Sequence, residues 1–308
     1  MNLEAFILGS GGMMPLPRRF LTSVLLRREG ELFLFDCGEA TQISLKMLNL
    51  RWKKISRIFI SHMHADHVTG LPGILMLSSQ VERNEPLYIY GPSKIKEYVD
   101  ANRKILEMFI NYEIIVEEIE SDGIIFENNE YSINCFTLKH TKPCMGFSLA
   151  EKDRPGVFYP DKARELNIPI GPLWADLQSG KEIEINGKNI RPEQVMGGPR
   201  SGRKFTYITD TKYFEKIAIN AADSDLLICE GMFASNLIED AAKKMHLTAE
   251  QAGTIARDAG GIKKMGLIHY SPRYVEKDLK EMLDEAKKIF PDTFLTRDRQ
   301  HLTIPFDD

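Results

Sequence analysis

Short apolar runs recur along the whole chain and are separated by turn residues. They are rich in Leu, Ile, Val and Phe and are bounded by Gly, Pro, Asp or Asn, which is the pattern of β-strands. We predict strands at 3–8, 22–28, 31–35, 57–60, 87–90, 113–120, 124–126, 131–138, 146–150, 205–209, 225–229 and 265–268, with short strands near Phe294 and Leu302.

Segments with helical spacing of apolar residues lie between these runs. We predict helices at 40–48, 68–77, 93–109, 161–166, 213–222, 236–244, 248–259 and 275–290, with Ser93 as the N-cap of the third. Strands and helices alternate, with hairpins such as the one around Glu29-Gly30. This pattern favours an α+β fold of sheets covered by helices over an all-α or all-β fold.

Composition narrows the range of functions. The chain has 308 residues, 43% hydrophobic and 27% charged, which is typical of an ordinary soluble globular protein. A net charge of −4 gives no general attraction to nucleic acid or to a membrane surface, so any such contact must be local. The four cysteines are scattered, and neither a signal peptide nor a transmembrane run is evident. We therefore expect a cytoplasmic protein.

The composition shifts at about residue 151, where Gly and Pro become frequent. The segment from residue 188 to residue 204 contains five basic side chains and one acidic side chain, which gives it a net charge of +4. We predict a single domain over 1–308 that carries an inserted arm at about 151–200 with a basic returning limb. The alternative is an ordinary solvated loop, which charged segments often form.

The densest group of chemically active side chains follows the strand at 57–60. It reads His62-x-His64-x-Asp66-His67, and imidazole and carboxylate are ligands that zinc prefers. A catalytic zinc usually takes three protein ligands, so four in one short stretch indicate two metals. The alternative is a polar loop in which the histidines occur by chance.

Three further candidates each come just after a predicted strand, namely His140, Asp210 and His269. Each alone could be an interior histidine or a helix cap, but ligand sites of open sheets collect at the carboxyl ends of strands. Two metals about 4 Å apart lower the pKa of a shared water and stabilise both oxygens of an in-line displacement. That chemistry suits a phosphodiester, an ester or an amide.

His246 is a candidate for a different role. It precedes Thr248, which can cap the next helix, so it could simply begin that helix. The functional interpretation is a histidine that protonates a leaving oxygen or holds a phosphate oxygen, oriented by Glu230 at the end of the strand at 225–229. We interpret His301 as a surface residue.

Taken together, these residues resemble the metallo-β-lactamase superfamily and, within it, the short form of the ribonuclease Z family of tRNA 3′-processing endonucleases. The resemblance covers essentially the whole chain. Its more specific motifs are Gly70-Leu71-Pro72-Gly73, Arg154-Pro155-Gly156, the run from Ile168 to Leu173, His246-x-Thr248-Ala249-Glu250-Gln251-Ala252 and Ser271-Pro272-Arg273-Tyr274.

The resemblance implies a four-layer αβ/βα sandwich with two zinc ions per subunit. One zinc would take His62, His64 and His140; the other would take Asp66, His67 and His269, and Asp210 would bridge them. Asp66 would also accept a proton, and His246 would assist the leaving 3′ oxygen.

The implied substrate is precursor tRNA. Cleavage after the discriminator nucleotide would leave a 3′-hydroxyl on the tRNA and a 5′-phosphate on the trailer. The implied assembly is a homodimer in which the arm of one subunit holds tRNA that the other cuts. Candidate substrate contacts are Gly171, Pro172, Arg191, Arg200, Arg203 and Arg273.

Two alternatives stay open at this point. One is a binuclear zinc phosphodiesterase or sulfatase that acts on small esters, and the other is a non-catalytic RNA-binding subunit with the same fold. The loop at 15–20 matches the family only in part, which leaves open whether precursors that already carry CCA are rejected. Asp210 also follows Thr209, where the family usually has Gly.

Overall fold

The predicted apolar runs form strands in the computed structural model, which describes residues 2–80 and 83–307. The strands are β1 Leu3–Gly9, β2 Ser23–Arg28, β3 Glu31–Phe35, β4 Ile55–Phe59, β5 Leu87–Gly91, β6 Ile114–Glu118, β7 Gly123–Glu127, β8 Tyr131–Leu138, β9 Cys144–Glu151, β10 Ile183–Ile185, β11 Lys188–Ile190, β12 Lys204–Ile208, β13 Leu226–Glu230, β14 Lys264–Ile268, β15 Thr293–Leu295 and β16 His301–Thr303.

Most of the helices lie close to the predicted positions. They are α1 Thr41–Met47, α2 Ala65–Val68, α3 Leu71–Ser79, α4 Ile95–Ile105, α5 Pro160–Glu165, α6 Pro172–Gln178, α7 Ile217–Ala221, α8 Ile238–Lys244, α9 Ala249–Ala259 and α10 Glu276–Lys287. Among the described residues, no helix combines the length and apolar character needed to cross a membrane.

The predicted start of α4 is wrong. Its N-cap is Lys94, at a φ of 79°, rather than Ser93. The carboxylate of Glu118 on the neighbouring strand β6 accepts the backbone N–H of Lys94 at 2.7 Å and that of Lys96 at 3.4 Å. A side chain distant in sequence therefore satisfies this helix terminus, which a local capping rule cannot foresee. The predicted start of α7 at 213 is also wrong, because that helix begins at Ile217.

Two seven-stranded sheets form the body of the fold. One has the order β16-β1-β2-β3-β4-β5-β6 and the other has the order β15-β14-β13-β12-β9-β8-β7. Helices α1, α3 and α4 pack on the outer face of the first sheet, and α7, α9 and α10 pack on the outer face of the second. This is the predicted four-layer αβ/βα arrangement.

Aromatic side chains fill the space between the two sheets. Phe35 and Phe59 come from the first sheet, and Phe147, Phe205 and Tyr207 come from the second; all five are fully buried. The ring of Phe35 lies 5.1 Å from Phe59, 5.3 Å from Phe205 and 5.8 Å from Tyr207. This packing fixes one sheet against the other, and with it the strand ends that meet at one edge.

Strand direction decides where the polar residues collect. Strands β12, β13 and β14 are parallel. Strand β8 is antiparallel to β9, which is antiparallel to β12, so β8 runs in the same direction as β12. Strands β3 and β4 of the first sheet are also parallel. The carboxyl ends of these strands therefore converge at the edge where the candidate ligands lie.

The inserted segment folds around a small core of its own. Helices α5 and α6 and the β10–β11 hairpin bury one cluster, which consists of Ala163, Ile168, Leu177, Ile183, Ile190 and Val195. The sequence interpretation missed α6 and the hairpin. The hairpin signal was present, because Asn186-Gly187 turns with φ angles of 51° and 73°, as a two-residue hairpin loop requires.

A buried ion-pair cluster joins this arm to the body. Glu151, at the end of β9, accepts from Arg203 Nε at 2.7 Å and from Arg28 Nε at 2.8 Å. Its side chain is 4% exposed, and that of Arg203 is 3% exposed. Burial would raise the pKa of Glu151, but the hydrogen bonds and charges of Arg203 and Arg28 hold it below its ordinary value.

We predict that Glu151→Gln lowers the free energy of unfolding by about 3 kcal/mol at pH 7, because it removes the buried negative charge that the Arg203 and Arg28 guanidinium groups contact. Urea unfolding measures this. Because the folded pKa lies below 4.5, the difference between the two proteins should shrink as the pH falls below about 4.5.

The matched control for this prediction is Glu127→Gln. Glu127 pairs with Lys152 at the surface, with a side chain that is 46% exposed, so the change should cost less than about 1 kcal/mol. Equal stabilities of the Glu151 and Glu127 variants would contradict the assigned role of the cluster.

Candidate metal-dependent active site

The first group of converging side chains contains His62, His64 and His140. His62 Nε2 lies 2.9 Å from His64 Nδ1, and His140 Nε2 lies 3.1 Å from the same atom. Asp210 Oδ2 completes the group at 3.6 Å from His62 Nε2 and 3.7 Å from His140 Nε2. Four potential ligand atoms thus face a common centre.

The second group contains Asp66, His67 and His269. His269 Nε2 lies 3.2 Å from His67 Nε2 and 3.3 Å from Asp66 Oδ2. The other oxygen of Asp210, Oδ1, lies 3.4 Å from His67 Nε2 and 3.3 Å from His269 Nε2. Asp210 therefore belongs to both groups, with one oxygen directed to each.

These distances fit a metal ion. Ligand nitrogens about 2.0–2.1 Å from zinc in a tetrahedron are separated from one another by about 3.3 Å. The separations given above, together with 3.7 Å between His67 Nε2 and Asp66 Oδ2, lie between 2.9 and 3.7 Å. Facing imidazole nitrogens at such distances would repel through their lone pairs, so the donor set favours a cation at each centre. The structure thus supports a metal cofactor.

Outer contacts orient the rings toward the two centres. Asp36 Oδ2 accepts from His67 Nδ1 at 2.7 Å, and the carbonyl oxygen of Met245 accepts from His140 Nδ1 at 2.9 Å. Each bond engages the Nδ1 proton and leaves the Nε2 lone pair directed inward. Metal-binding histidines are commonly oriented in this way.

Electrostatics around His269 and Asp210 favour positive charge, whereas burial lowers the pKa of His62, His64 and His140 in the first group. Burial would raise the pKa of Asp210, but His269, His67 and His62 bring it well below its ordinary value. Burial would lower the pKa of His269, but Asp210, Asp66 and Glu230 raise it to about 10. The carboxylates thus stabilise a proton in this environment, and a divalent ion would replace that proton.

The backbone beside the site is strained. Asp36, Met245 and His269 adopt left-handed conformations, with φ angles of 54°, 58° and 64°. Such conformations cost non-glycine residues roughly 1 kcal/mol or more and often occur at functional sites. Here each one directs a side chain or a carbonyl oxygen toward the ligand groups.

A loop from the amino-terminal part of the chain closes one side of the site. The backbone N–H of Met13 donates to Asp66 Oδ2 at 2.6 Å. A Cβ atom at Gly12 would lie 2.6 Å from the ring of His269, so the glycine lets the backbone pass against that histidine. The loop thereby fixes Asp66 and His269 together.

His246 lies beside both ligand groups, with its ring centroid 4.9 Å from that of His140. Glu230 Oε2 accepts from its Nδ1 at 3.0 Å, and the glutamate is fully buried. Burial would lower the pKa of His246, but Glu230 and Asp210 raise it above its ordinary value. The arrangement keeps a proton on this histidine.

Most of the predicted substrate contacts lie on the arm, whereas Arg273 follows strand β14. Gly171 and Pro172 are exposed at the start of α6, and Arg191 is exposed near Glu182 on the hairpin. Arg200 is half-buried and donates to the carbonyl oxygen of Pro155 at 3.1 Å. Arg273 is exposed, with its guanidinium carbon 5.2 Å from the ring of Phe233.

The structure argues against a substrate role for Arg203. Its guanidinium is buried, binds both oxygens of Glu151 and donates to the carbonyl oxygen of Ile304 at 2.9 Å. A phosphate could reach it only by breaking this cluster. The basic pattern in the sequence does not distinguish a surface arginine from one that pairs with a carboxylate 52 residues away.

Known proteins match the chain over its full length. A protein of Treponema denticola named "Ribonuclease Z" is 59% identical over 309 residues, which cover 100% of both chains. A protein of Borrelia hermsii with the same name is 47% identical over 310 residues, 98% of this chain and 97% of that one. This chain belongs to the ribonuclease Z family. Residues 3–163 also match a family profile described as "Anti-Pycsar protein Apyc1".

Among solved structures, the chain is similar to human tRNase Z, short form. The TM-score is 0.73 at 24% identity, and the match covers 98% of this chain and 100% of the human chain. At that identity the similarity shows the fold, and it confirms the metallo-β-lactamase sandwich predicted from the sequence. Membership of the ribonuclease Z family rests on the bacterial relatives.

The sequence interpretation missed Asp36. This fully buried carboxylate accepts from Ser61 N at 2.7 Å, from Tyr207 O–H at 2.8 Å and from His67. It connects the ends of strands β3, β4 and β12 beneath the ligand groups. A signal was available, because Asp36 directly follows a buried strand, the same position that identified His140, Asp210 and His269.

We predict that Asp36→Asn weakens metal binding, tested with zinc as the probe ion, about 10- to 100-fold, because the amide can present its N–H₂ group to His67 and disturb that ring's tautomer. Competition with a chromophoric chelator measures the affinity. Tyr207→Phe is the matched control: it removes one hydrogen bond to Asp36 but leaves the contact with His67, so zinc affinity should change little. Equal affinities for the Asp36 variant and the unchanged protein would contradict the prediction.

Proposed function

We propose that this chain is an endoribonuclease that removes the 3′ trailer of precursor tRNA. Cleavage after the discriminator nucleotide would give a tRNA 3′-hydroxyl and a trailer 5′-phosphate. The observation that carries the proposal is the pair of ligand groups joined by Asp210, in a chain that is 59% identical over its whole length to a protein named "Ribonuclease Z". The site supports the hydrolytic chemistry, and the family relationship supports tRNA as the substrate.

We propose zinc as the metal, with two ions per subunit. His62, His64 and His140 would hold one and Asp66, His67 and His269 the other, with Asp210 shared. The predominance of imidazole over carboxylate ligands favours zinc over magnesium or calcium. When bound, such a pair supplies a hydroxide nucleophile near neutral pH and neutralises charge on the phosphodiester.

His246 would protonate the 3′ oxygen as it leaves. Glu230 engages its Nδ1, so the proton to be transferred resides on Nε2, on the opposite side of the ring. The raised pKa keeps that proton available near neutral pH. Glu230 acts through His246 and is therefore a positioning residue.

Asp66 would serve first as a ligand. Its Oδ2 accepts the N–H of Met13 and faces His269, so this oxygen is already engaged. Any proton that Asp66 accepts during the reaction would go to Oδ1. This assignment keeps the family's role for Asp66 compatible with the observed contacts.

The arm would hold the body of the tRNA away from the cut. Its own core makes it a folded body, and Gly171, Pro172 and Arg191 present exposed backbone and charge on it. Phosphate contacts from such a surface give affinity without reading sequence. The alternative, an esterase for small substrates, is not favoured because its reaction would not need an arm.

We further propose a homodimer in the cytoplasm. Helices α1 and α3 expose Ile43, Met47 and Met76, with exposed fractions of 48%, 63% and 45%. Phe109, which follows α4 and accepts a hydrogen bond from Ser79 at the end of α3, is 83% exposed. A second copy that covers these apolar side chains would remove them from water. All four cysteines are buried free thiols, which supports a reducing compartment for the protein.

We predict that His246→Ala lowers the single-turnover rate of precursor tRNA cleavage about 10²- to 10⁴-fold, because the leaving oxygen loses its proton donor. Zinc content, measured by atomic emission, should stay at two per subunit. His62→Ala is the contrasting variant, since it should lose both zinc and activity. Unchanged cleavage by the His246 variant, or loss of its zinc, would contradict the assigned role.

We predict that deleting the arm abolishes precursor tRNA cleavage but leaves hydrolysis of bis(p-nitrophenyl) phosphate within about threefold. Residues 155–199 can be replaced by a short Gly-Ser linker, because Arg154 and Arg200 exchange backbone hydrogen bonds of 2.7 and 2.9 Å. Gel-based cleavage and absorbance assays measure the two activities. Retention of precursor cleavage by the deletion variant would be the contrary result.

A further inference from the structure

The carboxyl-terminal segment reaches the base of the arm. The guanidinium carbon of Arg154 lies 3.4 Å from the ring centroid of Phe306, and that of Arg203 lies 3.8 Å from it. Two guanidinium groups cannot occupy the same face of one ring at these distances. Phe306 is therefore enclosed between the two arginines, each of which makes a cation–π contact.

These arginines belong to the two limbs that connect the arm to the body. Arg154 lies on the outgoing limb, and its backbone pairs with Arg200 on the returning limb. Arg203 lies further along the returning limb, where it binds Glu151. Phe306 thus contacts both limbs at the level where they leave the second sheet.

The segment that carries Phe306 is anchored in the body. Ile304 is 2% exposed in the core between the sheets, and its N–H donates to the carbonyl oxygen of Leu3 at 2.8 Å. Its own carbonyl accepts from Arg203. Asp307, on the other side of Phe306, forms an ion pair with Lys263. Residues on both sides of Phe306 thus contact the body of the protein.

The limbs beyond this point form a narrow neck. Gly156 packs directly against the backbone of Gly197 and Gly198, where a side chain at Gly156 would not fit. The arm's own buried cluster begins beyond the neck and shares no residue with the clusters of the body. The orientation of the arm is consequently determined at its base, where Phe306 lies.

We propose that Phe306 is a positioning residue that sets the orientation of the arm relative to the catalytic site and thereby determines recognition of long RNA substrates. The inference rests on the proposed function, because it assumes that the arm holds tRNA. It predicts that the carboxyl-terminal segment affects the KM for tRNA and has no part in the chemical step. If the arm adopts the binding-competent orientation less often, the apparent affinity for tRNA falls in proportion.

The test compares Phe306→Ala with the unchanged full-length protein. The KM for precursor tRNA should rise about tenfold, because the two cation–π contacts hold the limbs in the competent orientation. The kcat at saturating precursor and the hydrolysis of bis(p-nitrophenyl) phosphate should stay within about twofold. Phe306→Tyr, which keeps the aromatic face, should restore most of the lost affinity.

The matched control is His301→Ala in the same carboxyl-terminal segment. His301 stacks on Phe6 at 4.5 Å and binds Glu4, away from the arm. Loss of this packing should leave the KM for precursor tRNA unchanged. Hydrogen exchange should show faster exchange at 152–157 and 199–203 in the Phe306 variant and no change at the metal ligands.

The outcomes separate the inference from the proposed function. If the unchanged protein does not cleave precursor tRNA, the proposed function fails. If it does and Phe306→Ala has an unchanged KM, the inference is wrong although the function stands. Equal loss of both activities in Phe306→Ala would also overturn it, because the residue would then support the fold as a whole.

Discussion

The carboxylate of Asp210 is the constraint on which the rest of the structure depends. Its two oxygens face different groups of histidines, and each must lie within about 4 Å of nitrogens that come from distant parts of the chain. This requires the ends of strands from both sheets to meet at one edge. The buried aromatic residues between the sheets maintain that meeting, and the left-handed backbone at Asp36 and His269 completes it at a local energetic cost.

Much of this could be predicted from the sequence, because ligands follow strands. The spacing of His62, His64, Asp66 and His67 identified the first cluster, and the position after a strand identified the remaining candidate ligands. Asp36 occupies an equivalent position but was missed, because an acid two residues before Gly38 also fits the turn between a strand and a helix. The contacts that could not be foreseen all join residues distant in sequence: Glu118 caps α4, and Glu151 forms a buried ion pair with Arg203.

The metal site and the arm have different roles in this account. The metal site belongs to a fold that many hydrolases share, and its ligands do not choose a substrate. The arm has its own small core and presents exposed charged side chains such as Arg191. Between them lies the base, where Glu151, Arg203 and Phe306 join the arm to the body. In this account, specificity for tRNA depends on the orientation of the arm as well as on the residues that the arm presents.

The most direct test of the account is to map the cut in a precursor tRNA that carries a 3′ trailer. The account predicts one cut directly after the discriminator nucleotide, with a 3′-hydroxyl on the tRNA and a 5′-phosphate on the trailer. It predicts loss of cutting with a chelator and recovery with added zinc. Cleavage that persists at full rate without metal, or cuts scattered through the trailer and the tRNA body, would contradict it.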